Sequence, residues 1–342
     1  MTYGNQRVER AVAAFKKLLP IFAFIAPFLI LYSLYPASFE FTWKGRTYYL
    51  FFLWLILLET ILSWEEIKTE KWKIKSIKTA PVLAAFMLPT IYVIASQCLG
   101  LDALIVNLAE KIGVEQNLVN FMPLSIEYLV FTTFAALILV LEHGISDLQK
   151  YSISVFFLGL IGMIYMIDNL YPYGRFTPFQ IIVPTTTTFA ANFLNLMGFQ
   201  TNTSTHTSAY YGSLSRLKVY DTQGKLLARF DIAWPCSGVE SLLIYTVTIL
   251  LFLKKMNISW KHKTLYFMIG AVVTYFINVL RIATIFIIAI NQGDWLSFHN
   301  FYGQLYSITW IISYPLMVIG SQVLWGKIRN WRTEHKQPFT VS

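Results

Sequence analysis

Apolar runs of about twenty residues, the length that crosses a bilayer as a helix, recur along the chain at 18–36, 48–64, 79–98, 121–141, 151–168, 236–253, 264–290 and 305–325, with charged residues gathered between them. The pattern predicts an all-α polytopic membrane protein, a single integral domain over 1–342 with about eight transmembrane helices. Arg7, Arg10, Lys16 and Lys17 precede the first run, which has no small-residue cleavage site after it, so that span is expected to be retained. No repeat of the length used by solenoids is visible, nor two halves with matching interrupted helices of the kind many transporters carry.

The segment 169–235 breaks the pattern. Ala190, Phe193, Leu194 and Met197 share one face at helical spacing while Asn192 and Asn195 fall away from it, which predicts a short interfacial helix over 186–198. A Ser/Thr-rich stretch follows from Thr201 to Ser208, containing the sequon Asn202-Thr203-Ser204. After the turn Asp221-Thr222-Gln223-Gly224, Leu226, Ala228, Phe230 and Ile232 alternate with Leu227, Arg229 and Asp231. This reads as a small β-hairpin that enters the sixth span directly.

Composition agrees with the bilayer: 56% of the 342 residues are hydrophobic and 13% charged, too little polar surface for a soluble protein of this size. Two cysteines exclude a disulfide scaffold. The net charge of +9 resolves by loop, since 18 Lys/Arg lie in the two termini and the loops 65–78, 142–150 and 254–263, against 8 in the alternate loops. The positive-inside rule then puts both termini in the cytoplasm and 169–235 on the extracytoplasmic face of the plasma membrane. Lys68, Lys71, Lys73, Lys75 and Lys78 read as a solvated cytoplasmic loop rather than a nucleic-acid patch.

The hairpin delivers the chain to Trp234-Pro235-Cys236-Ser237-Gly238-Val239-Glu240. Pro235 suits the first position of a helix, so Cys236 is expected in the first turn among unpaired amides that favour a thiolate and can hold an oxyanion. The plain alternative is a small buried apolar residue. Arg281, the remaining basic residue, lies inside the seventh span, where a charge costs on the order of 3 kcal/mol and needs an interior partner. Glu240 is the expected partner, one helical turn below Cys236 on the same face. Glu59 and Glu127 also lie in or near spans, with no partner evident. Among the five histidines, His299 stands beside the outward ends of neighbouring spans, where an imidazole can exchange a proton with a thiol.

The blocks Pro235-Cys236-Ser237-Gly238, Asn278-Val279-Leu280-Arg281-Ile282 and Phe298-His299 followed by Gly303 resemble, in that order, the three signature blocks of the exosortase/archaeosortase family. The resemblance covers roughly 234–303. It implies a membrane cysteine transpeptidase that cleaves C-terminal sorting signals, each a short motif, a transmembrane helix and a basic tail, and transfers the precursor to a lipid headgroup or another amine. It also implies roles for Cys236 as nucleophile, His299 as acid/base and Arg281 as oxyanion or substrate holder. Ser237, Gly238 and Asn278 belong to the same blocks, whereas Glu240 rests on the helix-face argument alone. No cofactor or metal is implied. Competing readings are a channel or transporter with Arg281 as an anion site, and a thiol-redox protein in which Cys98 and Cys236 form a bridge, although C-x-x-C is missing.

Overall fold

The computed structural model describes residues 2–67, 79–208 and 211–334. The lysine-rich loop 68–78 and His335 lie outside the described residues. Ten principal helices follow the hydropathy pattern: α1 (Thr2–Leu34), α2 (Thr47–Leu62), α3 (Thr79–Cys98), α4 (Leu101–Lys111), α5 (Met122–His143), α6 (Ser152–Leu170), α7 (Val183–Leu196), α8 (Val239–Lys255), α9 (Trp260–Ile290) and α10 (Gly303–Glu334). Among the described residues, six helical stretches are long and apolar enough to cross a membrane: Lys17–Leu34, Pro81–Cys98, Val119–His143, Gln149–Leu170, Trp260–Ile290 and Trp295–Ile328. The chain is a multi-span membrane protein.

Eight full-length spans were too many. The second and sixth runs form helices of 16 and 17 residues, short of the usual crossing length. α8 is short because Gly238, at φ +92°, breaks the helical run and delays its start from 236 to Val239. Both short helices are enclosed by neighbours, α2 against α1 and α6, α8 against α6, α9 and α10. The core they share is strongly aromatic: Phe28 stacks on Tyr49 at 4.5 Å, and Tyr48, Tyr49, Tyr128 and Tyr165 are fully buried.

The insertion contains more sheet than a hairpin. Strands β1 (Gln200–Ser208), β2 (Gly212–Tyr220) and β3 (Leu226–Ile232) form an antiparallel sheet in the order β1-β2-β3. The Ser/Thr-rich stretch is β1. Leu217 and Val219 of β2 pair with Phe230 and Ala228 of β3 on the buried face, and Arg216 pairs with Asp231 on the other, at 2.6 Å and 2.8 Å. α7 packs beneath β1 and β2, burying Thr186, Thr187, Ala190, Ala191 and Leu194. Met197, expected on that face, falls one residue past the helix and is exposed.

Three buried acidic residues within helices, Glu59, Glu127 and Asp168, have cationic partners. At the sheet end of the bundle, Arg46 Nε and Nη2 donate to Glu127 Oε1 and Oε2 at 2.8 Å and 2.9 Å, and Lys44 meets Asp168 at 2.9 Å. At the opposite end, Lys255 donates to Glu59 at 2.6 Å, and the amides of Ile153 and Ser154, in the first turn of α6, donate to the same carboxylate at 3.1 Å and 2.9 Å. Glu59 and Glu127 are therefore paired, contrary to expectation, by residues on other elements. A crevice of about 890 Å³ opens at this opposite end between α2, α6, α8 and α10.

Candidate active site

Cys236 sits in a single 3₁₀ turn, Trp234–Cys236, ahead of α8. Pro235 presets the turn, and the amides of Cys236 and Ser237 are already used, donating to Ala233 O at 3.0 Å and Trp234 O at 3.1 Å. The cradle of free first-turn amides expected around the thiol is thus displaced to the start of α8 at Val239. The electrostatics follow the geometry. Burial pushes the Cys236 thiol up to about 11, while the nearby Arg281 guanidinium pulls it down. Burial therefore works against the thiolate that the sequence suggested, and the arginine charge works for it.

His299 lies on the last helical stretch. Asp294 caps it, accepting from Ser297 N at 3.0 Å. Trp295–Ser297 is α-helical, Phe298–Tyr302 winds as a π-helical turn in which Gly303 N–H donates to Phe298 O, and α10 continues from there. A π turn inserts an extra residue and rotates the side chains that precede it. His299 lies on this turn, and its Nε2 is 3.7 Å from Cys236 Sγ, within hydrogen-bonding range for sulfur.

Arg281 comes from α9 and is buried at 5% exposure. Its Nη2 donates to the His299 carbonyl at 3.4 Å, and its buried Nε has no hydrogen-bond partner among the described residues. Five donors with so little protein to bind leave the guanidinium available to an anionic or carbonyl oxygen. The room for it is made by Gly303, where a Cβ would stand 2.8 Å from Arg281 Nε. No direct salt bridge joins Arg281 to Glu240, although the two charges act on each other across a longer gap. The Glu240 carboxylate accepts instead from Tyr48 at 3.1 Å, a residue 192 positions away.

The remaining block residues shape the turn. Asn278 Nδ2 reaches Cys236 O at 3.5 Å, and its side chain fills the space a Cβ at Gly238 would need, 2.7 Å away. Ser237 is buried and its hydroxyl donates to Trp234 O at 2.8 Å, closing the turn rather than facing the thiol. Thr186 of α7 supports the turn from below, its Oγ1 3.1 Å from Ser237 O. Thr42 was missed by sequence reasoning: its Oγ1 donates to Asn300 O at 2.9 Å, tying the 42–46 loop to the π turn. A lone threonine between spans carries no sequence signal for this.

Cys98 and Cys236 are both free, so the bridge considered for a redox protein is not formed. Among the described residues, no group of three or more His, Cys, Asp or Glu side chains is placed to hold a metal ion. The large crevice is lined by none of Cys236, Arg281 and His299.

The chain matches the family model for transmembrane exosortases over residues 42–317, which span Thr42, the three blocks and the first half of α10. It belongs to the exosortase family, membrane enzymes concerned with protein sorting. No curated protein matches the chain, and no solved structure does.

Proposed function

We propose that this exosortase-family protein is a cysteine transpeptidase acting on secreted precursors at the extracytoplasmic face of the plasma membrane. The observation that carries the reading is the 3.7 Å approach of His299 Nε2 to Cys236 Sγ beside an under-occupied buried arginine. Cys236 Sγ attacks the scissile carbonyl carbon as its proton passes to His299. The tetrahedral oxyanion forms next to the Arg281 guanidinium, whose open donors match that charge. The C–N bond then breaks, the leaving amine takes the proton from His299, and the precursor remains as a thioester on Cys236. An acceptor amine, such as a lipid headgroup, or water attacks the thioester and restores the thiol.

The positive-inside count supports cytoplasmic termini and an extracytoplasmic site. A precursor halted in the bilayer by its C-terminal helix presents the cleavage site at the membrane surface, level with the turn ahead of α8, and leaves its basic tail in the cytoplasm. The test is to co-produce a tagged precursor carrying a motif, a helix and a basic tail with the parent protein or with Cys236→Ala. Loss of the tail with the parent and its retention with the alanine variant is the expected result. Tail removal by Cys236→Ala overturns thiol catalysis. Mass spectrometry of the new C-terminus distinguishes transfer from hydrolysis.

A further inference from the structure

We infer that the free edge of β3 is the dock for the substrate, with the precursor segment that precedes its helix adding to the sheet as a fourth, extended strand. The inference rests on the cysteine-peptidase reading and supplies what that reading lacks, a means of aligning a peptide with the thiol. Among the described residues β3 pairs with β2 alone, so one row of its backbone N–H and C=O groups faces away from the sheet. Extended backbone continues through Ala233 (φ −99°, ψ 168°) and ends at the turn that holds Cys236. A strand laid along β3 is therefore led to the nucleophile by the same chain that carries it.

Three further features favour this edge. Phe230 packs on Phe286 of α9 at 5.0 Å and on Trp295 at 4.8 Å, so the segment that carries His299 is held against the inner face of β3. Trp295 and the half-exposed Leu296 offer apolar surface to alternate side chains of an added strand. Edge strands of folded proteins are usually guarded by proline, a bulge or an inward-facing charge. β3 contains no proline, its inner face is Ala228, Phe230 and Ile232, and its one bulge, at Leu227 between the pairs Val219–Ala228 and Tyr220–Leu226, lies at the end far from Cys236. On the solvent face Lys218 and Arg229 stand directly opposite each other as like charges, while Asp231 is engaged by Arg216. A carboxylate or other acceptor on the added strand beside Arg229 would relieve that repulsion.

Cross-linking tests the alignment. In the full-length Cys98→Ala/Cys236→Ala protein, Arg229→Cys places one thiol on the solvent face of β3, and single cysteines are moved stepwise through the precursor segment before its helix. Strand addition makes every second precursor position form the disulfide, at least about five-fold above the positions between, because successive side chains point to opposite faces. Ser204→Cys, on the solvent face of the opposite edge strand β1, should show no such pattern. A flat profile, or one favouring Ser204→Cys, overturns strand addition while leaving thiol catalysis intact if the parent protein still processes the same precursors. Failure of the parent to process any of them removes the cysteine-peptidase reading and this inference with it.

Discussion

Gly303 lies against the Arg281 guanidinium so closely that a single methyl group there would stand 2.8 Å from Nε and 3.0 Å from Cγ. Alanine is otherwise the better residue in a helical run, by about 0.8–1 kcal/mol. Gly303→Ala is therefore expected to leave the fold intact while pushing the arginine off its position. Precursor processing should fall by about two orders of magnitude, as when an oxyanion donor is lost, with a loss of stability no larger than the roughly 1–3 kcal/mol of ordinary overpacking. Normal processing by Gly303→Ala would show that the arginine's placement is immaterial.

The raised thiol gives a pH signature. With Cys236 pushed up to about 11, the thiolate share near pH 7 is about 10⁻⁴, roughly a hundredfold below that of an ordinary cysteine. Alkylation of Cys236 by iodoacetamide, followed in a Cys98→Ala background, should be slow at neutral pH, still rise about tenfold per unit between pH 9 and 10, and level off only above about 11. Because Arg281 pulls the thiol down, Arg281→Gln should move the curve to still higher pH. A midpoint at pH 7 or below contradicts the buried neutral thiol and restores a preformed thiolate.

Thr42 is a positioning residue, acting through the backbone of Asn300. Thr42→Val keeps the shape and removes the hydrogen bond, a loss of about 1 kcal/mol or roughly five-fold in rate if the π turn loosens. Thr42→Ser should recover most of the activity. An unchanged rate in Thr42→Val, measured on the tagged precursor, shows that the turn holds His299 without this tie.

The Arg46–Glu127 pair has both side chains largely buried, at 12% and 3% exposure, and Glu127 also accepts from Tyr49 at 2.7 Å. Glu127→Gln leaves the guanidinium without its counter-charge and should cost about 3–5 kcal/mol. The expected readout is a lowered unfolding temperature in detergent. Arg46→Met combined with Glu127→Leu should recover part of that loss, since an apolar pair of similar volume avoids the desolvation penalty. Equal stability of Glu127→Gln and the parent would mean the pair lies in a wetter site than its burial implies.

Hydropathy alone located all eight principal runs, and the order of Cys236, Arg281 and His299 along the chain was enough to gather them as one candidate site. Those properties are local: a residue's own side chain and its neighbours within a few turns decide whether a segment prefers lipid and which face it offers. The strand β1 escaped notice because its Ser/Thr/Asn run has no apolar alternation, and only pairing with β2 gives it an extended shape. Partners of buried charges escaped for a related reason. Glu127 finds Arg46 81 positions away, Glu59 finds Lys255 196 away and Thr42 finds Asn300 258 away. Which polar atoms meet across a bundle depends on the rotation and depth of each helix, and these follow from packing the aromatic core and from breaks such as Gly238 and the π turn. The sequence by itself determined a membrane bundle and its candidate nucleophile, base and cation. Tertiary structure decided that burial works against the thiolate, that Glu240 accepts from Tyr48 while Arg281 acts on it from a longer distance, and that a glycine makes the room for the guanidinium.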